Sequence, residues 1–252
     1  MWEWNPQQYL LFQKQRTQPA VDLANRIRER DVRTTMDLGC GPGNSTAVLR
    51  SVFPNARITG MDSSSVMIEQ ARREHPGMDF QVGRVEELTS AFDLLFSNAC
   101  LQWVPHHETL LPNLMEHLTA HGVLAVQMPR NQEEPLFRII RQVAADSEWD
   151  FSKVYFERND TLTPSQYHEI LSGCAGAFEL WETVYYHLLP SHRHLLEWVR
   201  GTRLRPYLEV LNRQQQKEFE QEILEKAQQA YPLTKDGTVI FPFRRIFFVA
   251  EK

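Results

Sequence analysis

Three glycines at alternate positions, flanked by acids, carry the chemistry of this chain. The run is Asp37-Leu-Gly-Cys-Gly-Pro-Gly-Asn-Ser-Thr46, and Arg57-Ile-Thr-Gly-Met-Asp62 follows it. A glycine-rich turn between a strand and a helix lets backbone approach a ligand closely and adopts positive φ at little steric cost. The dinucleotide fingerprint is GxGxxG, with a pyrophosphate on the helix N-terminus. Here the spacing is GxGxG, through Gly39, Gly41 and Gly43. Asp37 stands two residues before the first glycine, where a phosphate has little use for an acid. A ligand carrying an ammonium and a sulfonium finds it favourable, directly or through its effect on the loop. Asp62 ends the second strand, where it can accept hydrogen bonds from both hydroxyls of a ribose. A charged acceptor makes each such bond worth about 1.5–3 kcal/mol.

The elements that position these residues alternate. Strands are expected at 34–38, 57–61, 79–82, 92–97 and 122–128, separated by helices after the glycines, from Ser63 or Ser64 to Pro76, and over 110–118. Helices at 6–13 and 19–30 precede them. Strand–helix alternation implies a parallel sheet covered on both faces, closed by right-handed crossovers, with ligands outside the carboxyl ends of the strands. The segment after the fourth strand therefore borders the crevice. Asn98 can bond a ligand or hold its own loop, while Gln102 and Trp103 offer a polar tip and a flat apolar face. Beyond Pro129 the rhythm becomes helical, at 135–145, 164–174, 191–200, 206–212 and 214–231. A strand at 179–187 interrupts it, and a strand at 243–250 closes the chain. The expected organisation is one domain over 1–252. A cofactor half spans 1–130, and a helical cap at 131–232 surrounds the 179–187 strand.

The helical part carries cations near aromatics: Arg200, Arg203, Arg205 beside Tyr207, Tyr185-Tyr186-His187, and Arg244-Arg245 before the last strand. A substrate with several carboxylates needs bidentate donors of this kind. His106 and His107 lack an acidic or cysteine partner at ligand spacing, so no metal site is read here. Cys40, Cys100 and Cys174 lie far apart, which suits a reduced compartment, and Cys40 reads as a small filler within the loop. The net charge of −5 argues against nucleic acid. The first residues, Met-Trp-Glu-Trp-Asn-Pro, lack the regions of a signal peptide, and no apolar run approaches the ~20 residues of a membrane span. A cytoplasmic protein with no membrane and no obligate protein partner is expected.

The order acid, three glycines, helix, strand, acid resembles the class I S-adenosylmethionine-dependent methyltransferases. The likeness extends beyond the cofactor fold, through Trp4-Asn-Pro, Tyr9-Leu-x-Phe12, Arg16-x-x-Pro-Ala20, Asn98-Ala-x-Leu-Gln-Trp103, Gly122-Val-Leu-Ala-Val-Gln-Met-Pro129, Tyr185-Tyr-His187, Pro190-Ser-His192, Trp198-Val, Leu204-Arg-Pro206 and Phe247-x-Val-Ala250. These segments resemble the branch of that family that methylates trans-aconitate.

The resemblance implies a doubly wound α/β fold: a seven-stranded, mostly parallel sheet, its last strand antiparallel, with a helical cap. It implies S-adenosyl-L-methionine as cofactor and the monomethyl ester of trans-aconitate, or of a related small anionic polycarboxylate, as product. Candidate cofactor residues are Asp37, Gly39, Gly41, Gly43, Asn44, Asp62, Ser63, Val85, Asn98, Gln102 and Trp103. Many relatives place an acid after the third strand for the adenine amino group. Here Arg84 occupies that position, leaving the Val85 backbone or Glu86 to read adenine. Candidate substrate residues are Tyr185, Tyr186, His187, Arg205 and Arg245. No catalytic residue is assigned, because a carboxylate is already ionised at neutral pH and needs no general base. An acyl-carrier-bound carboxylate as acceptor, or a sensor that binds the cofactor without turnover, are the alternatives.

Overall fold

The computed structural model describes residues 13–152, 154 and 159–252. The segments at residues 4–6 and 9–12, and the helix expected from residue 6, lie outside the described residues.

Helix α1 (Gln13–Arg26) leads into β1 (Thr34–Leu38), α2 (Asn44–Val52), β2 (Arg57–Asp62), α3 (Ser65–Glu74), β3 (Asp79–Val82) and β4 (Phe92–Asn98). Then come α4 (His107–Glu116), β5 (Leu118–Pro129), α5 (Pro135–Ala144), α6 (Pro164–Cys174) and β6 (Ala177–Leu189). The chain finishes with α7 (His192–Arg200), α8 (Arg205–Val210), α9 (Arg213–Ala230) and β7 (Val239–Glu251). The seven strands form one sheet in the order β3-β2-β1-β4-β5-β7-β6. The first five are mutually parallel, and β7 runs antiparallel to β5. This is the doubly wound α/β architecture expected from the alternation.

The chain divides into two compact units. The sheet unit holds Arg16–Pro129, Arg158–Thr183 and Arg245–Lys252; the helical unit includes Arg130–Glu157 and Val184–Arg244. In the sheet unit the central strands are buried without alternation, as at Leu94, Leu95, Phe96 and Ser97, because helices cover both faces. Leu38, Leu95, Leu124, Val126 and Phe248 meet Leu110, Leu111 and Leu114 of α4. In the helical unit, α5 turns Leu136, Phe137, Ile140 and Val143 inward against Leu195, Trp198 and Val199 of α7. Phe219, Ile223 and Ala227 give α9 its apolar stripe; its other faces are polar. An Asn212–Gln215 capping box starts α9, and a Thr163–Gln166 box starts α6.

Several expectations are corrected. Helix α1, described from Gln13, carries Pro19 inside it rather than at its start, and it ends at Arg26, because residues 27–30 close as i→i−3 turns. Helix α4 starts at His107 rather than at 110 and ends at Glu116, and β5 starts at Leu118. Strands β6 and β7 are each 13 residues long, and β7 runs through Pro242. Helix α6, expected in the cap, packs in the sheet unit. Its Tyr167 and Leu171 are fully buried there beside α4.

Candidate functional site

The turn after β1 takes positive φ at all three glycines: Gly39 (68°), Gly41 (53°) and Gly43 (94°). Side chains are disfavoured there for conformational reasons alone. The Gly39 and Cys40 amides both donate to the Met61 carbonyl, at 2.8 and 3.0 Å, tying the turn to β2. A Cβ on Gly39 would lie 2.2 Å from Cys100 Sγ, so the loop after β4 rests directly on the turn. A Cβ on Gly41 would meet nothing within 4 Å. That open face is where a ligand can reach backbone. The Gly41 amide donates to Asp62 Oδ2 at 2.9 Å, and the Ser64 amide donates to Asp62 Oδ1 at 2.9 Å. The half-buried Asp62 carboxylate is thus held in place, with lone pairs left for a ligand. Ser63 is exposed, and Asn44 opens α2 half-buried.

Asp37 is fully buried. Its Oδ2 accepts from Ser45 Oγ at 2.7 Å and Thr46 Oγ1 at 2.6 Å, the first turn of α2. Its Oδ1 is buried and has no partner. Burial pushes the carboxyl up to about 6, against the two hydroxyl bonds, and the nearby Asp62 charge adds to the rise. Both roles left open by the sequence therefore have a physical counterpart: one oxygen braces the loop and the other is unspent.

The β4 side supplies more unspent acceptors. Asn98 Oδ1 and Gln102 Oε1 are buried without partners, while Gln102 Nε2 donates to the Ala99 carbonyl at 2.8 Å. Ala99 itself has φ 57°, which turns the chain sharply after the strand. Strands β1 and β4 are paired neighbours, with Leu38 opposite Ser97. Trp103 is 42% exposed, and Val85 is buried at the start of the turn Val85–Glu87. Arg84 Nη2 donates to Glu86 Oε1 at 2.8 Å, so Glu86 is already engaged.

The unspent atoms of Asp37, Asn98 and Gln102 are acceptors, and the turn from Asp37 to Thr46 contains no lysine or arginine. A buried acceptor without a donor costs about 1–3 kcal/mol. The residues fit a donor-rich cation. They do not fit a pyrophosphate.

His107 is structural. Its Nε2 donates to the Leu101 carbonyl and its Nδ1 accepts from Tyr167 Oη, both at 2.8 Å, and burial pushes its pKa down. Burial also raises the Cys40 and Cys100 thiols, Cys100 to about 12, with Asp37 and Asp62 reinforcing both shifts, so neither is a thiolate. Cys40 packs with Ile68, Ala71 and Phe80 as a filler. Among the described residues no three His, Cys, Asp or Glu side chains form a metal-binding group.

The candidate substrate residues are distributed unevenly. Strand alternation sets Tyr185 and His187 on one face of β6 and Tyr186 on the other, 67% exposed, so Tyr186 cannot act alongside them. His187 is buried, stacked on Trp198 at 4.3 Å within an aromatic cluster of the helical unit. Arg205 is ion-paired with Glu209 Oε1 at 2.8 Å, one turn along α8. Arg245 is buried in the sheet unit and donates to Gln127 Oε1 at 3.1 Å.

Comparison with known proteins gives the class. Residues 30–189 match a family model described as a methyltransferase domain. A trans-aconitate 2-methyltransferase of Methylobacterium nodulans is 42% identical over 256 residues, covering 100% of this chain and 99% of the relative. One from Escherichia coli (strain K12 / DH10B) is 41% identical over 254 residues with the same coverage. The crystal structure of the YcgJ protein from Bacillus subtilis superposes with a TM-score of 0.62 at 15% identity, covering 93% of this chain and 98% of that one, which speaks to the fold. The chain belongs to the methyltransferase family and, by its end-to-end relatives, to the trans-aconitate 2-methyltransferase group within it.

Proposed function

We propose that this chain transfers the methyl group of S-adenosylmethionine to one carboxylate of trans-aconitate, forming the monomethyl ester. The observation that carries the reading is the set of acceptors left unspent at the glycine turn and the loop after β4: Asp37 Oδ1, Asn98 Oδ1, Gln102 Oε1 and the Asp62 carboxylate. The full-length relatives, named for trans-aconitate, support that acid as the acceptor.

When bound, S-adenosylmethionine supplies a methyl group on a sulfonium, an electrophile that already carries its leaving group. The chain's part is to bind, orient and exclude water. Asp37, Asn98 and Gln102 accept from the ligand's ammonium, and Asp62 accepts from ribose hydroxyls. Gly39, Gly41 and Gly43 give backbone access beside Asn44 and Ser63. The Val85 backbone reads adenine, and Trp103 lines the same side. A substrate carboxylate titrates near ~4 and is ionised without help. The burial and two bonds of His107 accord with a reaction that needs no base. Alignment of oxygen, methyl carbon and sulfur then carries the rate, for which effective molarities reach about 10⁵–10⁸ M.

The test is to incubate the protein with methyl-labelled donor and a panel of di- and tricarboxylic acids. Label in a base-labile ester of trans-aconitate supports the reading. Label on a carrier-bound acid alone, or donor binding with no transfer to any acid, overturns it.

A further inference from the structure

We infer that Arg203 is a carboxylate-binding residue of the helical unit. This rests on the carboxylate-methylation reading above and names a residue for its acceptor. Arg203 sits in the tight turn between α7 and α8. The Thr202 and Leu204 amides both donate to the Val199 carbonyl, at 3.1 and 3.0 Å, and the fully buried Leu204 pins the turn. The direction in which Arg203 leaves the backbone is therefore set by packing.

The arginines around it are spoken for. Arg200 pairs with Glu220 at 3.1 Å, Arg205 with Glu209 at 2.8 Å, Arg244 with Glu134 at 3.5 Å and Arg141 with Glu133 at 3.3 Å. Arg203 is half-buried and makes no hydrogen bond or ion pair among the described residues. Its electrostatic neighbours are Tyr207 and Arg141. Burial holds its pKa below the ordinary arginine value; Tyr207 opposes that fall, and the smaller repulsion of Arg141 adds to it. Arginine stays charged through such a shift, so the strain is not relieved by losing a proton. Tyr207 is 8% exposed and packs edge-on to Phe151 at 4.7 Å.

A partly desolvated cation beside a like charge, with its N–H fork unused, is costly in the free protein and matched to a planar anion. A carboxylate offers two oxygens to that fork. Trans-aconitate has carboxylates to spare beyond the one that is methylated. A cation held away from the reacting oxygen binds without quenching it.

Arg203→Gln and Arg203→Lys separate this from a structural role. The readouts are KM for trans-aconitate, Kd for S-adenosylhomocysteine, and Tm with and without trans-aconitate. Arg203→Gln is expected to raise KM about 10- to 100-fold and leave the S-adenosylhomocysteine Kd unchanged. It should also abolish the rise in Tm produced by trans-aconitate, while the ligand-free Tm stays level or increases. Arg203→Lys should recover part of both losses. A lowered ligand-free Tm with unchanged KM would make Arg203 structural and overturn the inference. Wild-type protein that forms the ester, with Arg203→Gln at the same KM, would remove this site and keep the reaction. Wild-type protein that forms no ester, but whose Tm response to trans-aconitate requires Arg203, would remove the reaction and keep the site.

Discussion

Asp37→Asn offers a quantitative test, because the carboxyl is buried, half-bonded and shifted. Its native-state pKa is raised from 3.8 to about 6, chiefly by burial. Between those values the folded chain holds a proton that the unfolded chain has lost. The stability Asp37 contributes is therefore complete below about pH 4 and is lost as pH rises through about 6. The displacement corresponds to about 3 kcal/mol, an order-of-magnitude figure. Asparagine keeps the shape and never ionises. Urea unfolding of ligand-free wild type and Asp37→Asn across pH 4.5–8 cancels every other titrating group in the difference. That difference should move by about 2 kcal/mol in favour of the variant as pH rises, the part of the displacement that lies above pH 4.5. Saturating S-adenosylhomocysteine should shrink the movement, because its ammonium compensates the ionised Oδ1. At pH 7.5 the variant should bind that ligand at least about tenfold more weakly. A difference independent of pH, or wild-type affinity in the variant, would refute this account of Asp37.

Asp62→Ala removes both the anchor for Gly41 and Ser64 and the proposed ribose acceptor; calorimetry with S-adenosylhomocysteine should show a loss of about 1.5–3 kcal/mol. Gly39→Ala would force a Cβ to 2.2 Å from Cys100 Sγ at a positive φ, so chemical denaturation should show a destabilisation of about 2 kcal/mol or more. Cys100→Ala should not rescue it, since Cys100 Cβ is itself only 2.4 Å away. The turnover number should stay flat from about pH 6.5 to 8.5, while kcat/KM for the donor falls below about pH 6 as Asp37 takes a proton. A steep rise of kcat with pH in the upper range would indicate a general base.

Much of the site was legible because its demands are local. Positive φ at alternate positions selects glycine, and strands β1 and β3 have the bounds expected from the sequence. The two ends of Asp37 were less plain, although the hydroxyls of Ser45 and Thr46 stand at the start of the following helix, where they can bond back. Tyr186 could have been set apart from Tyr185 and His187 by strand period alone. The Arg205–Glu209 pair stands at i,i+4, a spacing that predicts an engaged arginine and turns attention to Arg203. The allegiance of α6 was not readable. It depends on the bond from Tyr167 to His107, 60 residues earlier, and no local pattern encodes that. The full length of β7 was hidden by Pro242, which reads as a break in isolation and is accommodated inside the strand.

The most direct test is a single turnover. Protein preloaded with one equivalent of methyl-labelled S-adenosylmethionine is mixed with trans-aconitate and quenched, and the acid is separated and treated with base. The account predicts that the label moves to the acid within one turnover and is released by base, and that with trans-aconitate well below its KM the transfer is far slower in Arg203→Gln. Label that stays on the donor at saturating trans-aconitate, in protein shown to hold the donor, would contradict it.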